Sequence, residues 1–569
     1  MDVTDQVRKE IIQKATQYIR DEKDEFFNKE VADALDEGAF EQLYERFYSE
    51  LAFGTAGMRG ILGGGTNRIN SFMVRKVTQG FANYLHKHTK HPSVAIAYDT
   101  RNYSSEFALQ TALTLCANNI RVMLFDTVRP VPVLSFSVRH LKSTAGVVIT
   151  ASHNPSAYNG YKVYWSDGGQ VTPPHDVGIA KEVERITSDM ILHIDEQEAI
   201  EKGLLTYMPP EVEQSYYDSV IESLTHEEVL RNSSIHVAYT PLHGSGLEPI
   251  THLYDRLGIS YDIVEEQRQY DGNFPTVSMP NPEDPEAMRL VVELAKQHKS
   301  DVVLGTDPDA DRLGVALPTD ESKETYQLLN GNQIAVLLVD YLMSVKAPLN
   351  KKQPVVAKSI VTSDLVKEIV ERQNGKCIDV LTGFKYIAIE MNKIEHSDTQ
   401  FFLFGCEESF GYLSLENLRD KDAVSSAILA TEMVAYYTQQ NLNVLQRLEQ
   451  IYQSYGRYTE KVFSYGYEGP SGQQKMGEIM ARFRAMRVGD SFAKEKITKV
   501  IDLLGGDVDG LPSSDVVMLY FENGEKLVIR PSGTEPKIKY YIYFHAEGLS
   551  KEEFEQLVQQ RLVQYKEEL

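Results

Sequence analysis

A chain of 569 residues is long enough for about three to five domains of ordinary size. Its apolar share of 42% and charged share of 25% are those of a globular protein in water. The formal net charge of −24 argues against a nucleic-acid or anionic-membrane partner, either of which wants a basic surface. It leaves room for a small anionic substrate held by a few local cations.

Val7, Ile11, Ile12, Ala15, Tyr18 and Ile19 recur at helical spacing and predict an amphipathic first helix, with helix again in the acidic stretch behind it. Residues 1–20 lack the apolar core of a signal peptide, and no apolar run approaches a membrane span, so a cytoplasmic protein is expected. Cys116, Cys377 and Cys406 lie far apart, in no zinc or C-x-x-C pattern, and fit a reducing compartment.

From about residue 93 short β-branched runs alternate with helix-like segments. "SVAIAYDT", "RVMLFDT" and "AGVVITAS" form one set. "SIHVAYTPLHGSG", "YDIVEEQ" and "SDVVLGTDPDADRLGVAL" form a second, and "PVVAKSIVTSD", "KCIDVLTGFKYI" and "QFFLFGCEESFGYL" a third. The alternation predicts α/β domains with mixed, mainly parallel sheets. Ligand sites in such sheets lie beyond the carboxyl ends of the strands, where the polar loops of these runs fall. The last section, "DVVMLYFENGEKLVIRPSGTEPKIKYYIYFHA", reads as strand, Asn-Gly turn, strand, loop, strand. It predicts an antiparallel sheet, followed by a helix on which Phe554, Leu557, Val558, Leu562 and Tyr565 share a face behind a Ser550/Glu553 capping box. Domains are expected at 1–207, 208–322, 323–460 and 461–569.

Four loops carry chemistry. In Gly305-Thr306-Asp307-Pro308-Asp309-Ala310-Asp311-Arg312, three carboxylates alternate with small or rigid residues. Read as an extended segment, the alternation puts all three on one face, ready to converge on a hard cation, with Mg²⁺ favoured over zinc or copper. The plain alternative is a solvated acidic loop. An EF-hand is excluded, because no Gly follows Asp311 and the twelfth position is Pro318 rather than Glu.

In "TASHNPSAYNGYK" an apolar strand delivers Ser152, followed by His153, two turn signals and Lys162. Ser152 reads either as a helix cap or as a carrier of a phosphoryl group. His153 can exchange protons near neutral pH, and Lys162 can donate to a phosphate or move a proton. Arg530-Pro531-Ser532-Gly533-Thr534-Glu535-Pro536-Lys537 offers a guanidinium, hydroxyls and backbone N–H groups, a phosphate cradle or a plain Ser-Gly turn. Gly405-Cys406-Glu407-Glu408-Ser409-Phe410-Gly411-Tyr412 pairs carboxylates with a hydroxyl, natural partners for sugar OH groups or a solvated turn. Thr382-Gly383-Phe384-Lys385 adds a cation, and Arg59 stands on the glycine-rich "FGTAGMRG" as a phosphate contact or a surface arginine.

These motifs resemble the α-D-phosphohexomutase family, on its phosphoglucomutase branch. T-A-S-H-N-P with N-G-Y-K, D-P-D-A-D-R, G-x-E-E-S-F-G and R-P-S-G-T-E-P occur in family order across nearly the whole chain. The resemblance implies three similar α/β domains and a smaller, mobile C-terminal α+β domain, heart-shaped around a central cleft. It implies that Ser152 is the phosphoserine and joins Asp307, Asp309 and Asp311 around Mg²⁺. Glu407 and Ser409 would bind sugar hydroxyls, and Arg530, Ser532, Gly533 and Thr534 the non-reacting phosphate. Arg59, His153 and Lys162 would surround the transferred group, with Arg312, Thr382, Gly383 and Lys385 among the substrate contacts. The implied reaction exchanges glucose 1- and 6-phosphate through glucose 1,6-bisphosphate, which doubles as activator. The partners are then small sugar phosphates, and the chain is expected to be a monomer, with a dimer as the alternative. Phe410 and Tyr412, where dual-specificity phosphomannomutases resemble G-E-x-S-G-H, speak for the glucomutase form. "GYKVYW" and "DGNFPTVSMPNPE" resemble a sub-branch that includes phosphopentomutases. Phosphopentomutase, phosphomannomutase, a metal-dependent sugar phosphatase and a non-catalytic sugar-phosphate sensor are the rival readings.

Overall fold

The computed structural model describes residues 4–569 except 56, 468, 507, 509 and 532–536, and leaves aside the side chains of 469–471. The chain forms two compact units. One comprises Met1–Leu329, Met391–Glu395 and Ser409–Gln439, the other Asn330–Glu390, His396–Glu408 and Gln440–Leu569.

The first unit opens with helices Asp5–Asp21 and Glu25–Asp36, whose N-termini are capped by Thr4 and Asp24. Ile11, Ala15 and Tyr18 of the first helix are buried, as their spacing requires. A six-stranded sheet follows, in the spatial order Gly57–Ile61, Tyr158–Trp165, Ala145–Ile149, Ser93–Tyr98, Arg121–Leu124, Leu205–Tyr207. The three pairings from Ala145–Ile149 to Leu205–Tyr207 are parallel and the other two antiparallel. Every residue of Ala145–Ile149 is buried, so this β-branched run reads as continuously apolar rather than alternating. Gly160 lets the strand Tyr158–Trp165 pass close to the end of that run, since a Cβ there would lie 2.4 Å from the Thr150 carbonyl oxygen.

The same unit holds a five-stranded sheet in the order Tyr326–Leu328, Leu313–Pro318, Val302–Thr306, His236–Thr240, Ser260–Ile263. Val302–Thr306 is buried throughout and ends at Asp307. Gly305 is required by packing, because a Cβ would meet the Met288 sulfur at 2.4 Å.

In the second unit, strand Gln353–Ser359 lies between Lys376–Val380 and Gln400–Glu407, parallel to both. A six-stranded antiparallel sheet follows, with Arg457–Gly466 and Lys537–Ala546 as its longest strands. Its strand Val517–Phe521 is buried on both faces. Val517, Leu519 and Phe521 join the core beneath the helix Lys551–Glu568, while Met518 joins Ile360, Val361 and Leu381 on the other side. That helix carries the Ser550/Glu553 capping box and buries Phe554, Val558, Leu562 and Tyr565. The architecture is therefore three α/β domains and a C-terminal domain built on an antiparallel sheet. No described helix is long and apolar enough to cross a membrane.

Candidate functional site

The three aspartates converge through a turn, not through the extended alternation expected above. Asp307 leaves the strand, Ala310 adopts a left-handed backbone (φ +48°), and its N–H donates to the Asp307 carbonyl at 2.9 Å. Asp307 Oδ1 accepts from the backbone N–H groups of Asp311 (3.1 Å) and Arg312 (3.0 Å), so the first carboxylate templates the turn that carries the third. The loop is anchored further by Ser245, whose N–H and hydroxyl both donate to the Pro308 carbonyl at 2.8 Å.

All three carboxylates are buried, and one oxygen of each lies within 4.8 Å of the others. Asp309 Oδ1 and Asp311 Oδ1 have no hydrogen-bond partner among the described residues. Buried carboxylate oxygens without a donor are costly, and an oxygen-only set of this size fits a hard divalent cation. Burial, reinforced by Asp309 and Asp311, pushes the Asp307 carboxyl well above its ordinary range. Burial works the same way on Asp311, but Lys421, Lys162 and Arg312 outweigh it and hold that carboxyl well below the usual range. Lys421 Nζ lies 3.1 Å and Lys162 Nζ 3.7 Å from Asp311 Oδ2, and Lys162 donates to Asp309 Oδ2 at 2.9 Å.

Ser152 caps no helix, since the next regular element is the strand Tyr158–Trp165. Its backbone is left-handed (φ +52°) and its N–H donates to Thr150 Oγ1 at 2.8 Å. This twist aims the hydroxyl across to the other sheet, where it donates to Asp307 Oδ2 at 2.7 Å. His153 Nδ1 lies 3.2 Å from the same hydroxyl. Burial first, then Arg312 and Arg59, push the imidazole down to about 2, so it is neutral here rather than poised near neutral pH. Arg59 presents an exposed guanidinium that donates to Asn154 Oδ1 at 2.9 Å, and Arg312 pairs with Glu283 at 2.5 Å.

Sequence reading missed three members of this group. Arg101 donates to the carbonyls of Ser152 (2.5 Å), Pro155 (2.9 Å) and Tyr158 (3.0 Å) and to that of Asn154, a single fork gripping the whole serine turn. It is itself buried against Asp99 at 3.4 Å. Lys421 and Glu283 are the others. Glu283 ends the stretch "DGNFPTVSMPNPE", and the sequence trace of Arg101 and Lys421 was dense charge between apolar runs, in "YDTRN" and "LRDKDA".

In the second unit, Gly383 N–H donates to Glu407 Oε1 at 2.7 Å, which joins the loop at Thr382, Gly383 and Lys385 to the end of strand Gln400–Glu407. Gly383 has φ +120°, a conformation glycine adopts freely. Thr382 Oγ1 is buried without a hydrogen-bond partner among the described residues. Lys385 Nζ lies 5.4 Å from the centroid of the Tyr386 ring. Arg530 stands near the end of strand Lys526–Pro531, paired with Lys539, while Ser532, Gly533 and Thr534 lie outside the described residues. Ser409, half-buried, begins the segment Ser409–Gln439 of the first unit.

Models of the phosphoglucomutase/phosphomannomutase α/β/α domains I, II and III match residues 50–190, 214–320 and 330–455 in that order. A phosphoglucomutase from Staphylococcus epidermidis is 36% identical over 529 residues, covering 90% of this chain and 95% of that protein. One from Staphylococcus aureus is 37% identical over 512 residues, covering 88% and 90%. The open form of the Paramecium phosphoglucomutase parafusin shares the fold at a TM-score of 0.70 and 19% identity, over 91% of this chain and 95% of that one. On three consecutive domains and this extent of identity, the chain belongs to the phosphoglucomutase/phosphomannomutase family.

Proposed function

We propose that the protein is a phosphoglucomutase that interconverts glucose 1-phosphate and glucose 6-phosphate through a phosphorylated Ser152. The observation that carries this reading is the Ser152 hydroxyl, held 2.7 Å from a buried three-carboxylate cluster and flanked by an imidazole and an ammonium. In the first half-reaction the bond between Ser152 Oγ and phosphorus breaks. A bond from the sugar's free hydroxyl to phosphorus forms, giving glucose 1,6-bisphosphate. The bisphosphate turns over and returns its other phosphoryl group to Ser152. Added bisphosphate therefore also activates chains that have lost the group.

Asp307, Asp309 and Asp311, with the serine phosphate, would hold Mg²⁺, which when bound neutralises charge on the transferring group. Lys162 is engaged as an ammonium by Asp309 and serves to grip the transferred group. His153, held neutral 3.2 Å from the Ser152 hydroxyl, orients that hydroxyl, and its suppressed basicity argues against a role as general base. Arg59 and Arg312 bind transferred and substrate phosphate oxygens. Glu407 and Ser409 bind sugar hydroxyls, with Thr382, Gly383 and Lys385 beside them. The loop at Arg530 holds the non-reacting phosphate in either orientation of the sugar. The partners on this reading are small sugar phosphates met by a monomer in the cytoplasm. The domain limits stay near 207 and 460, and the one expected at 322 moves to follow Leu329, because Tyr326–Leu328 belongs to the five-stranded sheet.

A coupled assay with glucose 1-phosphate, mannose 1-phosphate and ribose 1-phosphate, each with trace glucose 1,6-bisphosphate, tests the proposal. Glucose 1-phosphate is expected to give the highest kcat/KM. A preference for either other sugar overturns the substrate, and stoichiometric release of inorganic phosphate overturns the mutase.

A further inference from the structure

The five-stranded sheet of the first unit carries a second cluster, of different chemistry. His236 opens the strand His236–Thr240, Asp262 lies on the neighbouring parallel strand Ser260–Ile263, and His298 ends the helix Arg289–His298. Asp262 Oδ2 lies 3.1 Å from His236 Nε2 and also contacts His298 Nδ1. One ligand atom of each residue falls within 4.8 Å of the others, and the two imidazoles are near parallel at 25°. His236 Nδ1 lies 3.0 Å from Ser300 Oγ, a bond that holds the ring with Nε2 toward the carboxylate.

We propose that His236, Asp262 and His298 bind a borderline divalent cation, Zn²⁺ or a first-row neighbour, at a site separate from the aspartate triad. Two imidazoles and one carboxylate suit such an ion and not Mg²⁺, which takes oxygen ligands. Zinc bonds of about 2.0–2.2 Å in a tetrahedron put ligand atoms roughly 3.4 Å apart. The His236–Asp262 separation of 3.1 Å already approaches that, so a cation replaces the protons that the rings now direct at one oxygen. The three side chains retain 22%, 33% and 45% of their exposure, which leaves an entry path and a fourth position for water. Ser300 supplies the outer hydrogen bond that ligating histidines ordinarily make.

The site's position separates it from the reaction. Val237, next to His236, pairs with Val302, and the strand then runs Val302–Thr306 before reaching Asp307. The cluster thus sits at the far end of the strand, about 17 Å from the triad at roughly 3.3 Å per residue. A cation there ties two strands and a helix of one sheet together without touching the reacting groups.

The test uses the full chain, freed of metal and returned to excess Mg²⁺, titrated with ZnCl₂ by calorimetry and followed by thermal unfolding. Co²⁺ serves as a coloured probe of tetrahedral coordination. Wild type is expected to take one Zn²⁺ with a rise in Tm, and one Co²⁺ with the intense visible band of a tetrahedral site. His298→Asn, at an exposed helix end, and Asp262→Asn should each weaken uptake by about 100-fold or more, since loss of an outer-shell partner alone costs about 10–100-fold. An Asp307→Asn/Asp309→Asn variant should retain both signals. Absence of uptake by wild type, uptake unchanged in His298→Asn and Asp262→Asn, or uptake lost in the double aspartate variant would each overturn the proposal.

Discussion

The Ser152 hydroxyl donates to Asp307 Oδ2 at 2.7 Å, joining two strand ends that lie 155 residues apart in the chain. Ser152 is left-handed and Asp307 begins a backbone turn, so both strands stop where the contact is made. Ser152→Ala removes the proposed carrier while leaving the turn that Arg101 and Thr150 hold. We expect mutase turnover to fall on the order of 10³-fold or more, as when a nucleophile is deleted from a unit that acts together, with Tm nearly unchanged. Near-normal turnover in the coupled assay would remove Ser152 from the mechanism.

Much of this constellation was legible because each loop follows a strand whose residues are continuously apolar. "AGVVIT" and "DVVLGT" announce buried strands, and polar residues at their ends have a site to occupy. The C-terminal sheet was legible for a different reason: its Asn-Gly turn and the helix face at Phe554, Val558, Leu562 and Tyr565 are local signals. What could not be read was geometry that depends on distant backbone. Alternation suggested that three aspartates share the face of an extended segment, whereas Asp307 Oδ1 binds two later N–H groups and folds the loop into a turn. Arg101 and Lys421 escaped notice because their partners, four carbonyls and Asp311, are defined only by the fold.

The unpartnered oxygens of Asp309 and Asp311 make the site's dependence on a cation testable. Excess EDTA is expected to abolish turnover and added Mg²⁺ to restore it. Asp309→Asn should need far more Mg²⁺ for half-maximal rate, because it removes one full charge from a buried three-carboxylate set. Full activity in excess EDTA, or an unchanged Mg²⁺ requirement in Asp309→Asn, contradicts the assignment.

Arg101 holds the serine turn through four carbonyls and touches neither the triad nor a place where substrate is proposed to sit. Arg101→Lys keeps a positive charge beside Asp99 but cannot reproduce the fork. A displacement of Ser152 by about 1 Å is enough to cost on the order of 10²-fold in rate. We expect kcat to fall by about that factor while KM stays near its wild-type value. A large rise in KM with kcat preserved would assign Arg101 to substrate binding instead.

Glu460 is half-buried on the strand Arg457–Gly466, with Oε1 shielded from solvent and Asn332 Nδ2 donating to Oε2 at 2.9 Å. Burial raises its carboxyl above the ordinary value of 4.5, with Asp364 adding to the effect against Ser363, Asn332 and Lys526. The native state therefore holds the proton more tightly than the unfolded chain does. No penalty exists below the unfolded pKa. It grows as pH rises from 4.5 toward the raised native value, and it is complete above that value. Glu460→Gln keeps an acceptor for Asn332 and carries no charge at any pH. The variant is expected to match wild type near pH 4 and to be more stable at pH 7, by about 1 °C in Tm for each kcal/mol relieved in a chain of this length. Thermal unfolding at both pH values decides the matter, and a variant equally or less stable at pH 7 would show that Glu460 is held as a well-compensated carboxylate.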